Sequence, residues 1–162
     1  MAVFVGIDNG ISGGIVLLRS DEVIIAKRSM PTMAKKKGNE VDIVELHNWF
    51  SAAIGNEPFR VVLEEPGGSK NYGAAVSMAD SASAIKTWVR LNRWRYELIT
   101  PRMWQKVMLP NCPPGHTKEY AKSAVVRLWP NEDWREGQRC KKPHEGIVDA
   151  ALIAEFARRS GI

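Results

Sequence analysis

Residues 141–154 read KKPHEGIVDAALIA, and from Gly146 to the end of this stretch Asp149 is the single charge. A carboxylate in a segment otherwise suited to burial costs free energy unless something pairs with it. Glu145 lies four positions earlier, so on a helix the two carboxylates share one face, about one turn apart. A divalent cation would remove the repulsion between them. Alternatively, both acids interact with the positive N-terminal end of the helix dipole, and this stretch alone does not separate the two interpretations.

Two further stretches place acidic residues at the ends of apolar runs. Residues 1–10, MAVFVGIDNG, end their apolar run at Asp8 and continue into a glycine-rich turn. Residues 60–68, RVVLEEPGG, end a second run at Glu64 and Glu65, before Pro and Gly break it. Both runs are typical of β-strands, whose ends lie at the edge of a sheet. Because side chains alternate along a strand, we expect Glu65 on the opposite side from Glu64.

These three elements together supply a set of carboxylates. Carboxylate oxygens without nitrogen or sulfur ligands suit Mg²⁺ or Mn²⁺ rather than zinc. The candidate catalytic and metal-binding acids are Asp8, Glu64, Glu145 and Asp149.

Four motifs carry a resemblance to a known family: GID at residues 6–8, VLEE at 62–65, ITPRMWQK at 99–106 and HEGIVDAALIA at 144–154. The sequence resembles RuvC-type Holliday junction resolvases, in particular their compact phage-encoded relatives, within the ribonuclease H-like superfamily. The motifs extend over nearly the whole chain in the expected order. The resemblance implies an α/β, ribonuclease H-like fold, in which a mixed five-stranded sheet is flanked by helices. It also implies that residues 1–162 form one nuclease domain.

The resemblance assigns three of the four acidic positions. Asp8 matches the first acid of the family, Glu64 the glutamate that closes the fourth strand, and Asp149 the final acid. The family places an acid or a histidine three residues before the final Asp, where this chain has Gly146. Glu145 agrees better with the phage pattern and with the preference of Mg²⁺ for carboxylates, and His144 is the alternative.

The resemblance also implies the reaction and the partners. We expect an endonuclease that hydrolyses phosphodiester bonds in branched DNA such as Holliday junctions, leaving a 5′-phosphate and a 3′-hydroxyl, in DNA recombination and repair. Two Mg²⁺ or Mn²⁺ ions would serve each active site, and the protein would act as a homodimer. The candidate nucleic-acid contacts are Lys70, Lys106, Lys118 and Lys122.

The charge balance agrees with a polyanionic partner. The 162 residues carry a net charge of +5 despite the acids named above, which favours phosphate binding. No apolar run approaches the roughly 20 residues of a membrane span, so we expect no membrane association. The first strand begins almost at Met1, so we expect a cytoplasmic location without a signal peptide, in a bacterial host cell if a phage encodes the chain.

Three alternatives remain open at this point. A DNA-binding module without catalytic activity could share the fold. The glycines around Asp8 also resemble the first phosphate loop of actin-like ATPases, although those proteins need a second, similar half. Finally, two Cys and two His could bind zinc, although their spacing differs from the common patterns: Cys112, His116, Cys140 and His144.

The periodicity of the remaining chain predicts the other elements. Strands are expected at residues 2–8, 15–19, 23–28, 60–64 and 94–99. Helices are expected at residues 41–54, 72–92 and 117–129, and a short one after Thr100. A final helix is expected around Asp149, and Gly161 ends it. Residues 30–40 lack periodicity and are predicted to form a mobile surface loop that contacts DNA.

Packing expectations follow from the same patterns. The order β-β-β-α-β-α-β-α-α places the first and fourth strands side by side, which would bring Asp8 and Glu64 together under the last helix. Trp104 is expected in the core rather than as a platform for a base, because Trp is usually well buried. In the helix at 41–54, the expected core residues are Val44, Trp49, Phe50, Ala53 and Ile54.

Overall fold

The computed structural model describes all 162 residues, which form seven strands and five helices. The strands are β1 Val3–Asp8, β2 Gly14–Arg19, β3 Ile24–Ser29, β4 Thr32–Ala34, β5 Asn39–Val41, β6 Phe59–Glu64 and β7 Tyr96–Ile99. The helices are α1 Ile43–Ile54, α2 Tyr72–Leu91, α3 Pro101–Met108, α4 Thr117–Leu128 and α5 Glu145–Ser160.

Five of the strands form one mixed sheet in the order β3-β2-β1-β6-β7. The pairs β3–β2 and β2–β1 are antiparallel, whereas β1–β6 and β6–β7 are parallel. β1 is therefore the central strand and reads as a nearly continuous apolar run, as expected for a strand covered on both faces. The predicted ribonuclease H-like fold, with its mixed five-stranded sheet and its neighbouring first and fourth strands, is confirmed.

Each face of the sheet carries its own apolar core, because alternate side chains of a strand point to opposite faces. On one face Val16 and Val62 pack against residues of α3, α4 and α5. On the other face Val5 and Leu63 pack against residues of α1 and α2. None of the five helices combines the length and the apolar character that crossing a bilayer requires.

Helix α5 lies directly on the backbone of the two central strands. A Cβ atom built on Gly6 would come within 2.2 Å of the carbonyl oxygen of Ala150, and one built on Gly14 within 2.6 Å of the carbonyl oxygen of Gly146. Gly146 also forms an isolated parallel bridge with Gly13. Glycines on both sides thus allow backbone-to-backbone contact, and this contact fixes the position of α5 over β1 and β2.

Residues 30–40 differ from the prediction, because they contain a two-stranded hairpin instead of an irregular loop. β4 and β5 pair antiparallel, and the turn closes where Lys35 donates its backbone N–H to the carbonyl of Gly38 over 3.0 Å. Gly38 has φ +83°, which a residue without a side chain adopts at little cost. Strands of three residues are too short to show a period of two, so the sequence pattern did not reveal them.

The buried stripe of α1 also differs from the prediction. Asp42 caps the helix by accepting a hydrogen bond from the backbone N–H of Glu45, so the helix begins at Ile43 rather than at residue 41. Val44 is 72% exposed and does not belong to the core, whereas Leu46 is fully buried. The remaining predicted core residues of this helix are buried or half-buried: Trp49, Phe50, Ala53 and Ile54.

Smaller differences concern element boundaries. β7 begins at Tyr96 instead of residue 94, and α4 has His116 at its N-cap position, with Thr117 as its first residue. Three helices follow β7, as the predicted elements include, although the order β-β-β-α-β-α-β-α-α counts only two of them.

The close contact between α5 and β1 leads to a stability prediction. Gly6→Ala places a methyl group against backbone atoms that cannot rotate away, so we expect the free energy of unfolding to fall by about 3 kcal/mol. Gly67→Ala is the matched control, because a Cβ at Gly67 meets no atom within 4 Å. Urea unfolding followed by circular dichroism measures both variants. Equal stability of the two variants would contradict the proposed packing constraint.

Candidate functional site

Asp8 and Glu64 stand at the ends of two neighbouring parallel strands. Ile7 of β1 pairs with Leu63 of β6, so the next residue of each strand is an acid. Parallel strands present their carboxyl ends at the same edge of a sheet, which is where open α/β sheets place their binding sites. By alternation, Asp8 lies on the same side of the sheet as Gly6, which is the side covered by α5.

Asp149 reaches the same place from above the sheet. It lies on α5 directly before Ala150, whose carbonyl contacts Gly6 of β1. Burial, followed by repulsion from Glu64 and Glu145, raises the pKa of Asp149 to about 7. The structure therefore brings Asp8, Glu64 and Asp149, from three separate elements, to one end of the sheet.

The pKa values of the two strand acids reflect this crowding. Burial, and then the charges of Glu64 and Asp149, raise the pKa of Asp8 well above its usual value. Burial also raises the pKa of Glu64, although hydrogen bonds from Trp104 and Asp8 act in the opposite direction. No lysine, arginine or histidine forms an ion pair with Asp8, Glu64 or Asp149.

Glu155, another acid of α5, is a buried carboxylate that forms ion pairs within the protein. The side chain of Glu155 is only 1% exposed, but Arg158 and Arg159 each approach its oxygens to 2.7 Å. Burial alone would raise the pKa of Glu155, and the two guanidinium groups hold it below its usual value instead. Asp8, Glu64 and Asp149 lack any such partner, which separates them from a structural ion pair.

Trp104 fixes the orientation of Glu64. The indole Nε1 of Trp104 donates a hydrogen bond of 2.6 Å to Oε1 of Glu64. The prediction that Trp104 lies in the core is confirmed, since its side chain is fully buried. Its contact with an acid of the site was not foreseen. The sequence carried one indication of this contact: Trp104 follows shortly after β7, and the last residue of β7 pairs with Glu64 in the sheet.

Asn9 is a second residue of the site that the sequence did not reveal. Its Nδ2 donates a hydrogen bond to the backbone carbonyl of Glu64, which ties the end of β1 to the end of β6. Its Oδ1 is buried and has no hydrogen-bond partner. A buried acceptor without a partner is uncommon, and this one lies next to Asp8. The signal was its position directly after the first acid.

A groove of about 330 Å³ runs past these acids. The glycine-rich turn after β1, the start of α5 and two residues of α2 form its walls. Its lining residues are Asp8, Asn9, Gly10, Ile11, Ser12, Gly13, Ser77, Met78, Glu145, Gly146 and Asp149.

Glu145 lies at the rim of this groove, and α4 supplies it with two positive charges. Nζ of Lys118 is 2.7 Å from Oε2 of Glu145, and Nζ of Lys122 is 3.6 Å from Oε1. The hydrogen bond from Lys118, supported by the charges of both lysines, lowers the pKa of Glu145. Glu145 thus differs from Asp149, its neighbour one turn later, in being neutralised by the protein itself.

His144 performs a structural role at the start of α5. It occupies the N-cap position, where its Nδ1 accepts a hydrogen bond of 3.3 Å from the backbone N–H of Ile147. A cap of this kind satisfies one of the free N–H groups at a helix start. The helix therefore begins at Glu145, and Nδ1 of His144 is engaged within the protein.

The other predicted contacts lie away from the carboxylates. Lys70 is exposed in the loop before α2. Lys106 lines a separate groove of about 280 Å³ between α3 and the proline-rich loop that follows it. Glu65 is exposed and lines a third groove, with Lys86 of α2.

No three His, Cys, Asp or Glu side chains are arranged as ligands of one metal ion, so the two cysteines and two histidines considered for zinc do not form a ligand group, and the four candidate acids do not form one in this arrangement either. His116 contacts Glu119 instead, with 3.1 Å between Nδ1 and Oε2.

The chemistry of the donors nevertheless fits a hard divalent cation. The groove presents carboxylate oxygens from Asp8 and Asp149 and the unpaired amide oxygen of Asn9, and Glu64 ends the strand next to Asp8. Oxygen donors of this kind suit Mg²⁺ and Mn²⁺. A cation at this position would remove the mutual repulsion that raises the pKa values of Asp8 and Asp149.

The raised pKa of Asp149 predicts how stability depends on pH. An aspartate in the unfolded chain has a pKa of about 3.9, so the folded protein binds this proton more tightly, and stability falls as pH rises from about 4 through 7. We expect the free energy of unfolding of the metal-free protein to decrease from pH 5 to 8. Asp149→Asn should flatten this dependence in part, because Asp8 still contributes. Urea unfolding in EDTA measures the free energy of unfolding at each pH. Parallel profiles of this free energy against pH for the parent and Asp149→Asn would contradict the prediction.

Comparison with known proteins adds a structural likeness. No family model and no curated protein sequence matches this chain. A structure of Thermus thermophilus RuvC in complex with a Holliday junction substrate aligns with a TM-score of 0.59 at 16% identity, covering 98% of this chain and 96% of that chain. A second Thermus thermophilus RuvC structure aligns with a TM-score of 0.54 at 19% identity, with the same coverage of 98% and 96%. The chain therefore has the ribonuclease H-like fold seen in RuvC structures.

Proposed function

We propose that this protein is a metal-dependent endonuclease that hydrolyses phosphodiester bonds in branched DNA such as Holliday junctions. The observation that carries the proposal is the convergence of three half-buried carboxylates, none of them paired with a cation, at one end of the sheet of a RuvC-like fold. In this proposal residues 1–162 form one nuclease domain, which acts in DNA recombination and repair.

Asp8, Glu64 and Asp149 would hold the metal, with Glu145 as the fourth ligand. When bound, two Mg²⁺ or Mn²⁺ ions would supply Lewis acidity at the phosphate and an activated water, so that cleavage would leave a 5′-phosphate and a 3′-hydroxyl. The charges of both Glu64 and Asp149 raise the pKa of Asp8, and this favours Asp8 as the shared ligand.

The chain's own residues keep this site in place before substrate arrives. Trp104 restricts Glu64 to one orientation through its 2.6 Å hydrogen bond. Asn9 holds the ends of β1 and β6 together. Gly10 and Gly13 line the groove without side chains, so that a phosphate backbone can approach Asp8. Pre-positioned ligands of this kind lower the cost of reaching the reactive geometry.

DNA binding would rest mainly on the lysines at the rim of the groove. Lys118 and Lys122 lie there beside Glu145, while Lys106, in a separate groove, and the exposed Lys70 would contact DNA further from the carboxylates. Such contacts position the phosphate backbone without reading sequence.

A four-way junction requires two cuts, which we attribute to a homodimer with one site in each subunit. Tyr72 and Val76 of α2 are 85% and 49% exposed, and they offer an apolar surface for this contact.

Replacement of the shared ligand tests the proposal. Asp8→Asn keeps the side-chain shape but removes a metal-binding charge, so we expect cleavage in Mg²⁺ to fall by about 100-fold or more while DNA binding remains. The assay is a panel of labelled four-way junction, fork, flap and linear duplex substrates. If the parent binds branched DNA but cuts none of these substrates, a DNA-binding module without catalytic activity is the better interpretation.

A second experiment separates the two candidates for the fourth position. We expect Glu145→Gln to lose most of the cleavage activity in Mg²⁺. His144→Ala should lose less activity but about 1 kcal/mol of stability, because it removes the cap of α5. His144→Asn, which can still cap the helix, serves as the control and should restore that stability. Greater loss of cleavage in both His144 variants than in Glu145→Gln would assign the fourth position to His144.

A further inference from the structure

Two lysines of α4 and one glutamate of α5 form an exposed charge cluster at the rim of the groove. Lys118 and Lys122 are one turn apart on α4, so both side chains project from one face of that helix. Both approach Glu145, at 2.7 Å and 3.6 Å. The side chain of Glu145 is 46% exposed, and that of Lys118 is 74% exposed.

The arrangement separates Glu145 from the other acids of the groove. The three remaining acids have no cationic partner, although Asp149 lies on the same face of α5 as Glu145. Lys118 and Lys122 therefore form ion pairs with the one carboxylate that lies at the entrance and with none of the interior acids, although their charges also lower the pKa of Asp149. The same two lysines lie at the rim of the groove, where they could also contact a DNA phosphate.

We propose that Lys118 and Lys122 mask Glu145 in the free protein and release it when they bind DNA phosphates. Glu145 then completes the metal site with Asp149. This inference rests on the proposed nuclease function and adds a regulatory step to it, in which the substrate itself assembles the fourth ligand.

Ion-pair energetics make this exchange reversible. An exposed pair of this kind contributes little to stability, so a phosphate can replace the carboxylate at a small cost. Phosphates also release condensed counterions when lysines bind them, which favours the exchange. The freed Glu145 faces Asp149 across one turn, and a divalent cation relieves the repulsion between them. DNA and metal therefore bind cooperatively, and each raises the affinity for the other by the same factor.

Metal binding to the DNA-free protein tests the mask directly. Isothermal titration calorimetry with Mn²⁺ compares Glu145→Gln in two backgrounds, the parent and Lys118→Met/Lys122→Met. In the parent, where Glu145 is masked, the substitution should change Mn²⁺ affinity less than twofold. In the lysine variant, where Glu145 is free, it should weaken Mn²⁺ binding by about three- to tenfold. Lys106→Met is the control background, because Lys106 contacts no carboxylate and should behave as the parent does.

DNA binding in EDTA tests the other half of the exchange without cleavage. Glu145→Gln frees both lysines, so it should bind a labelled four-way junction about three- to tenfold more tightly than the parent. Glu119→Gln removes an equal charge from α4, next to Lys118, but its carboxylate contacts His116 and no lysine. It should change the affinity less than twofold.

The outcomes distinguish this inference from the function on which it rests. If Glu145→Gln weakens Mn²⁺ binding equally in the parent and in the Lys118→Met/Lys122→Met background, Glu145 is not masked and the exchange is refuted. Equal DNA affinities of Glu145→Gln and Glu119→Gln refute it as well. If the parent binds neither Mn²⁺ nor junction DNA, the nuclease proposal itself fails.

Discussion

The contact between the backbone of α5 and the backbones of β1 and β2 is the constraint on which the other features of this structure depend. It exists because Gly6, Gly14 and Gly146 have no side chains at the points of closest approach. Through this contact α5 is buried almost continuously from Gly146 to Ala157. It also brings Asp149 down to the level of the sheet, where the parallel pair β1–β6 ends in acids. A wider separation between helix and sheet would leave these acids in water, where their repulsion would be weak.

Burial determines what these carboxylates can do. An unpaired charge that is removed from water raises the free energy of the folded state, and the structure limits this effect in two different ways. Near the end of α5, Arg158 and Arg159 form ion pairs with Glu155. At the groove the protein supplies hydrogen bonds that orient Glu64 but no countercharge. Burial, and then the remaining repulsion, raise the pKa values of Asp8 and Asp149 in the metal-free protein. A divalent cation would relieve this repulsion, because it brings two charges to one point.

Sequence alone predicted the elements that follow from strong local patterns. Apolar runs ending in acids identified β1, β6 and the residues Asp8 and Glu64, and the apolar stretch around Asp149 identified α5. The hairpin β4–β5 was missed because its strands have only three residues each, which show no periodicity. The hydrogen bond from Trp104 to Glu64 joins residues 40 positions apart. It depends on how α3 packs against the sheet, on the same face as α5, and no local pattern encodes that packing.

The start of α5 explains why the fourth acidic position could not be settled from the sequence. The resemblance to RuvC-type resolvases places an acid or a histidine at residue 146, where this chain has glycine. In the structure a Cβ atom at Gly146 would lie 2.4 Å from the carbonyl carbon of Gly13, so no other residue fits there without moving the turn. Close packing of α5 thus removes the usual position of the fourth ligand, and His144 is occupied as the cap of the helix. Glu145 is the remaining acid at the groove rim. Its side chain lies beside α4 instead of beside the sheet, so its charge is controlled by lysines that the sequence places 23 and 27 residues away. The geometry that brings Asp149 to Asp8 would therefore also make Glu145, the proposed fourth ligand, dependent on α4.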